Sequence, residues 1–141
     1  MRTPNDTDLP AIATLLSTSG LPIDDLNDQD LSLFRIVRNR DALVAVAGLE
    51  RQGDLALIRS VATSTSVRGQ GIAKALVADL EALASEKGIG AIYLLTETAE
   101  RFFANLGYTE QDRTSVPTSI QRSRQFSSIC PDSATVMCKS L

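Results

Sequence analysis

Val67-Arg68-Gly69-Gln70-Gly71-Ile72-Ala73-Lys74-Ala75-Leu76 is the stretch around which the chain is organised. Leu55 to Ala62, ahead of it, reads as a strand. Behind it, apolar residues recur at Ile72, Leu76, Leu80 and Leu83, and this spacing predicts a helix over roughly Gly71 to Lys87. A strand, a glycine-bearing turn and a helix in that order make an anion cradle. The first amides of a helix have no partner inside it, and its aligned peptide dipoles favour negative charge there. Gly69 and Gly71 let the backbone approach an anion closely, and Arg68 and Lys74 add mobile positive charge. The third glycine of a dinucleotide GxGxxG is absent, since Lys74 stands there, and so is the GK[ST] ending of a P-loop.

The chain has 141 residues, 43% of them hydrophobic and 22% charged, with a formal net charge of -3. Its isoelectric point is about 4.9. These values describe one ordinary globular domain, residues 1–141, and lack the basic field that a nucleic-acid partner requires. No apolar run approaches a membrane span, and the N-terminus has no signal-like core, so a cytoplasmic protein is expected. Histidine is absent, which rules out Ser–His and Cys–His catalysis within the chain. Two thiols, Cys130 and Cys138, make neither a disulfide framework nor a metal site, and no metal is expected. Cys130 and Cys138 are both expected to be structural.

Working outward, Asp8 to Ser19 predicts a first helix, capped by Asp6 or Thr7 and stopped at Gly20. The acidic run Asp24 to Asp30 is either a loop or one short helix, and its carboxylates are expected at a solvated surface, with attraction of a cationic group as the alternative. Leu33 to Val37, Ala42 to Leu49 and Leu55 to Ala62 form an antiparallel meander. Ala91 to Thr96 follows the long helix and is expected to return parallel. Ala99 to Leu106 is a short helix closed by Gly107, Tyr108 to Gln111 begins a strand, Pro117 opens a short helix through Arg122, and Ala134 to Cys138 is the last strand. Together these predict an α/β (α+β) domain with a mixed central sheet flanked by helices. By the two-residue period Leu55, Leu57, Arg59 and Val61 share a face, with Ile58 and Ser60 on the other unless a bulge intervenes. Arg59 is the charged member of an apolar row and therefore needs an anionic partner or a cleft. If neighbouring strands splay near Val61 and Leu95, their exposed backbone groups can take an extended ligand.

The pattern from Arg59 through Leu76, followed by Ala99-Glu100-Arg101-Phe102-Phe103-Ala104-Asn105-Leu106-Gly107-Tyr108, resembles the GCN5-related N-acetyltransferase (GNAT) superfamily and its acyl-CoA N-acyltransferase fold. Leu57 to Ala62, Tyr93 to Thr96 and Phe126-Ser127-Ser128-Ile129-Cys130-Pro131 are similar to a bacterial branch called arsenic-resistance N-acetyltransferases, itself similar to amino-acid N-acetyltransferase domains. The resemblance implies acetyl-CoA as co-substrate and a small-molecule amine as acceptor. An amino acid or a glutamate analogue such as arsinothricin or phosphinothricin is implied, with a homodimer as the common assembly. Acetylation of a protein N-terminus or lysine is the alternative within the fold, and a catalytically silent CoA-binding regulatory protein the alternative outside enzymes.

The same resemblance assigns residues. Amides of Arg68, Gly69, Gln70, Gly71, Ile72 and Ala73, with Lys74 beside them, would hold the pyrophosphate. Backbone groups of Val61, Ala62 and Thr63 would pair with the pantetheine arm, and Asn105 is a further cofactor candidate. The Val61 amide would polarise the thioester carbonyl. Glu50 is the candidate general base for direct attack by the amine, with Glu97 as the second choice at the acceptor site. Arg59, supported by Ser60, is the candidate partner of the acceptor's anionic group. The chain departs from the family pattern at Phe103, where many members carry a tyrosine that protonates the leaving thiolate, and Tyr93 and Tyr108 are the candidate substitutes. Thr96 stands where the family often has asparagine, and the short N-terminus implies a curtailed first strand.

Overall fold

The computed structural model describes residues 1–123 and 134–141. Residues 126–131, including Cys130, lie outside the described residues. The chain enters through a helical turn at Asp6–Asp8, capped by the Asn5 side chain, and continues as helix α1, Leu9–Thr18. The cap is therefore Asn5, ahead of both residues expected to supply it. An antiparallel meander follows, with strands β1 (Phe34–Asn39), β2 (Ala42–Gln52) and β3 (Leu55–Thr63). Helix α2 (Ile72–Glu86) crosses to β4 (Ala91–Thr96), which lies parallel to β3. Helix α3 (Glu100–Asn105), strand β5 (Thr109–Gln111), helix α4 (Thr118–Gln121) and strand β6 (Thr135–Ser140) complete the described elements. The sheet order is β1-β2-β3-β4-β6-β5. At the N-terminus a single antiparallel bridge, Arg2 to Ile36, stands where a full first strand would be.

Helices cover both faces, because β2 and β3 carry apolar residues on both. On one face Leu76, Val77, Leu80 and Ala84 of α2 pack against Ala45, Ala47, Leu49, Ala56 and Ile58. On the other, Ile12 and Leu16 of α1 meet Phe34, Ile36 and Val46, and Ile120 of α4 meets Leu57 and Val136. Full burial of a side chain such as Leu76 or Leu80 contributes ~1.5–3 kcal/mol relative to exposure. Gly48, opposite Phe34 in the β1–β2 register, leaves room for that ring: a Cβ at Gly48 would lie 2.5–2.7 Å from three ring carbons. Gly48→Ala is expected to destabilise the fold by about 1–3 kcal/mol through overpacking. Urea unfolding measures this, and an unchanged midpoint would show that Phe34 moves aside without cost.

Asp8 ties the N-terminus to the meander. Its buried carboxylate accepts from Arg2 at 3.0 and 3.1 Å, from Arg38 at 2.8 Å and from the Asn5 amide at 2.9 Å. The Arg2 hydrogen bonds, then the Asn5 amide and Arg38, hold this carboxyl far below its ordinary value. A depressed folded-state pKa contributes stability that is complete above the unfolded value and is lost as pH falls beneath it. Asp8→Asn should therefore lower the melting temperature at neutral pH and flatten its decline below about pH 4. A decline as steep as in the unmodified chain would remove Asp8 from the acid transition.

The acidic run Asp24 to Asp30 holds one short helical turn, Leu26–Asp28, the second of the two expected forms, and another turn, Leu31–Leu33, follows it. The expectation that its carboxylates are all solvated fails at Asp25, which is buried. A second correction concerns β3. The β2–β3 register shifts between Val46 and Gly48, and Ser60 takes φ 59, so a bulge interrupts the two-residue alternation. Beyond it, Val61 packs with the cluster containing Ala56 and Ile58 rather than sharing Arg59's face.

Candidate active site

Parallel pairing between β3 and β4 covers Leu55–Ala91, Ala56–Ile92 and Leu57–Tyr93. Both strands continue, to Thr63 and Thr96, without further pairing to each other. The bulge at Ser60 turns β3 away, and a cleft of about 320 Å³ opens between the diverging strand ends. Arg59, Ser60, Val61, Ala62 and Thr63 line it from β3, with Arg68 and Ala73 at the glycine turn. Leu94, Leu95 and Thr96 line it from β4, Phe102 and Phe103 from α3, and Ser19, Leu21 and Pro22 from the segment after α1.

The turn at the cleft's edge is built for an anion. Gly69 and Gly71 adopt φ 83 and 76, a left-handed backbone that other residues enter at a cost. Gly71 precedes α2 with no side-chain cap, and the first bond across the helix start runs from the Ala75 amide to the Gly71 carbonyl at 3.0 Å. Among the described residues no hydrogen bond engages the amides of residues 68–74. Arg68, Gly69, Gln70, Gly71 and Lys74 are exposed and Ile72 and Ala73 half-buried. These residues fit a diphosphate, with free amides, a helix N-terminus and Arg68 at the edge of an apolar cleft, and Arg68 and Lys74 without an ion-pair partner among the described residues.

Arg59 is not available in the way the sequence suggests. Its side chain is fully buried and its two Nη atoms donate to Asp25 Oδ2 and Oδ1, both at 2.6 Å. Nη1 also donates to Glu50 Oε1 at 3.0 Å, and Nε to Ser60 Oγ at 3.2 Å. Four of the five guanidinium N–H groups are thus consumed by the protein itself. Burial alone would lower the Arg59 pKa, but the Asp25 and Glu50 carboxylates outweigh it and leave the group more firmly protonated than usual. The proposed role of Arg59 as receptor for an anionic acceptor group is corrected accordingly: one guanidinium faces two carboxylates. Asp25 was not predicted. The signal for it was partial, because a charged residue in an apolar strand demands a counter-charge, but Asp41, Asp54 and the acidic run all offered carboxylates and the sequence does not choose among them.

The remaining candidates divide. Glu50 lies within β2 and shares Arg59's face, since Gly48 pairs with Arg59 and Glu50 with Leu57. Its second oxygen accepts from Gln52 Nε2 at 2.8 Å, and it borders a separate cavity with Asp28 and Lys87 rather than the cleft. Glu97 is exposed just beyond β4, and Asn105 is exposed at the end of α3, neither lining the cleft. Tyr108 is corrected as a proton donor. It is buried on the α2 side with its hydroxyl donating to Glu81 at 2.8 Å, and burial followed by Glu81 pushes its pKa far above the usual tyrosine range. Tyr93 packs against the cluster of Leu57, Val116, Ile120 and Val136 on the opposite face, and burial followed by Cys138 raises its pKa too. Phe103 does face the cleft, in edge contact with Phe102 and Tyr108 at centroid separations of 5.0 and 5.6 Å. The Thr96 hydroxyl also lines the cleft while accepting the Ala99 amide at 2.9 Å.

A mixed sheet splayed between two parallel strands, with a helix-start turn at the opening, is the acyl-CoA-binding fold of the N-acyltransferases. The chain belongs to the acetyltransferase (GNAT) family, whose model matches residues 9–108. A curated relative, the uncharacterized N-acetyltransferase CT2212 of Chlorobaculum tepidum, is 38% identical over 68 residues, 48% of this chain and 43% of that protein. The match therefore spans less than half the relative's length. Among solved structures, Rv2747 of Mycobacterium tuberculosis, crystallised with CoA and NLQ, superposes with a TM-score of 0.82 at 26% identity, covering 99% of this chain and 98% of that one. N-acetylglutamate synthase of Neisseria gonorrhoeae, complexed with coenzyme A and N-acetyl-glutamate, gives a TM-score of 0.83 at 20% identity. That likeness covers 99% of this chain and 34% of the synthase chain, and it speaks to the fold.

Proposed function

We propose that the protein transfers the acetyl group of acetyl-CoA to the primary amine of a small molecule, an amino acid or a glutamate analogue of the arsinothricin or phosphinothricin kind. The observation that carries this is one cleft with free helix-start amides at its edge and, along its wall, the end of β3 that no longer pairs with β4. The full-length likeness to a structure solved with CoA supports it, and a synthase solved with N-acetyl-glutamate shares the fold. Acetyl-CoA would supply the activated acyl group. Residues 68–74 would hold its diphosphate, and backbone groups of Val61, Ala62 and Thr63 its extended arm. The Val61 amide would stabilise the oxyanion as the amine attacks directly.

Two steps need adjustment to this geometry. Glu50 meets the cleft only through Arg59, so the acceptor's proton leaves by way of water rather than directly to that carboxylate. No tyrosine hydroxyl faces the cleft among the described residues, so the thiolate departs without a side-chain acid, as a good leaving group can. With Arg59 committed to Asp25, polar residues such as Ser19, Thr63, Thr96 and Thr98 at the cleft would meet a zwitterion's carboxylate. Thiol release from acetyl-CoA, measured over glutamate, arsinothricin, phosphinothricin, polyamines and peptides, tests the reading. Release with the glutamate-like amines is expected. Release with peptides alone would move the acceptor to protein, and silence across the panel would leave a CoA-binding protein.

A further inference from the structure

Ser60 is a non-glycine residue held at φ 59 within a strand, next to the amide assigned to the oxyanion. Such a backbone persists where its surroundings over-determine it. Here the surroundings are specific. Arg59 Nε donates to Ser60 Oγ at 3.2 Å, and the guanidinium is immobilised by Asp25 through two 2.6 Å bonds and by Glu50 through one of 3.0 Å. Asp25 is itself gripped by Gln29 Nε2 at 3.3 Å and sits on the segment that, through Leu21 and Pro22, walls the cleft. The cluster thus joins three elements at the point where β3 leaves β4.

We propose that Asp25 is a positioning residue: acting through Arg59 and the Ser60 hydroxyl, it clamps the β3 bulge in its left-handed conformation and so aims the Val61 amide into the cleft. The proposal rests on the acetyl-transfer reading for its catalytic consequence, but the clamp itself does not. Asp25 and Arg59 touch neither reactant in this scheme. Without the clamp the bulge relaxes toward an ordinary strand conformation, and the Val61 amide turns away from the developing oxyanion. Glycine at position 60 tolerates positive φ without help, so it makes the clamp unnecessary.

That last property gives the test. In the full chain, Asp25→Asn removes one charge and keeps the side-chain shape. Arg59→Lys keeps the charge opposite Asp25 but loses Nε and the planar fork. Both should lower kcat about tenfold or more, the scale on which releasing a strained active-site conformation acts. The affinity for CoA, measured by calorimetry, should change less than about threefold, because residues 68–74 are untouched. Adding Ser60→Gly to either variant should restore most of kcat. In parallel, amide NMR should show the Val61 resonance shifted or broadened in each single variant and returned by Ser60→Gly. A Val61 amide unmoved by both single variants overturns the proposal. So does a folded double variant in which Ser60→Gly restores neither the resonance nor the rate. If the Val61 resonance follows the clamp but no variant or parent releases thiol, the clamp stands and the acetyl-transfer reading falls. Should Asp25→Asn fold poorly, Arg59→Lys carries the same comparison with the opposing charge in place.

Discussion

Arg59→Ala is expected to destabilise the fold by about 3–5 kcal/mol, the cost of removing one partner from a buried ion pair. The size follows from what remains. Asp25, with a side chain 1% exposed, would keep its charge facing an empty guanidinium site, and Glu50, 14% exposed, would lose its bond to Nη1. Desolvation already spent on these carboxylates would no longer be offset. Truncation also leaves a void where the fully buried side chain stood, adding lost packing to lost charge. Urea unfolding with an unchanged m-value measures the effect. A loss under about 1 kcal/mol would mean that water enters and solvates Asp25, and that the cluster is held less tightly than its 2.6 Å contacts indicate. Because the pair is structural before it is anything else, the loss of stability should be the same with or without an anionic acceptor in solution.

The second large effect is on cofactor affinity. Gly71→Val should weaken acetyl-CoA binding by about tenfold or more, since a side chain in the left-handed region costs roughly 1–2 kcal/mol and a β-branched one more. Gly71 has nothing within 4 Å of where a Cβ would sit, so the effect is conformational and not steric. To escape a φ of 76, the turn must rotate its peptides, and the amides of residues 69–73 then cease to converge. Calorimetric titration with CoA measures the change, and the CoA-dependent rise in melting temperature should shrink in step. The exposed position of Gly71 predicts a far smaller change in the unliganded melting temperature. Unaltered affinity would show that the diphosphate is held by Arg68 and Lys74 alone.

Much of this protein is legible in its sequence. The period of Ile72, Leu76 and Leu80 and the glycines at 69 and 71 specify a strand–turn–helix locally, and the helix forms over Ile72–Glu86. The strand Ala91–Thr96 has the same bounds in sequence and structure, because Gly88 and Gly90 punctuate its start and its apolar run is short. Such signals act over a few residues, through backbone sterics and side-chain period, so they survive in sequence form. The free amides at the turn belong to the same class, being a consequence of helix geometry alone.

What the tertiary structure decided lies across distance. Arg59 demanded a counter-charge in the sequence, but that Asp25, 34 residues away, supplies it depends on how the segment after α1 folds over β3. The face occupied by Val61 depends on a bulge set by β2 register, which no local period encodes. Tyr108 is kept from the cleft by burial and by the bond of its hydroxyl to Glu81 on α2. In each case the deciding energy is a pairwise one, between groups that composition and spacing leave unpaired, and the partner is chosen by packing rather than by neighbourhood along the chain.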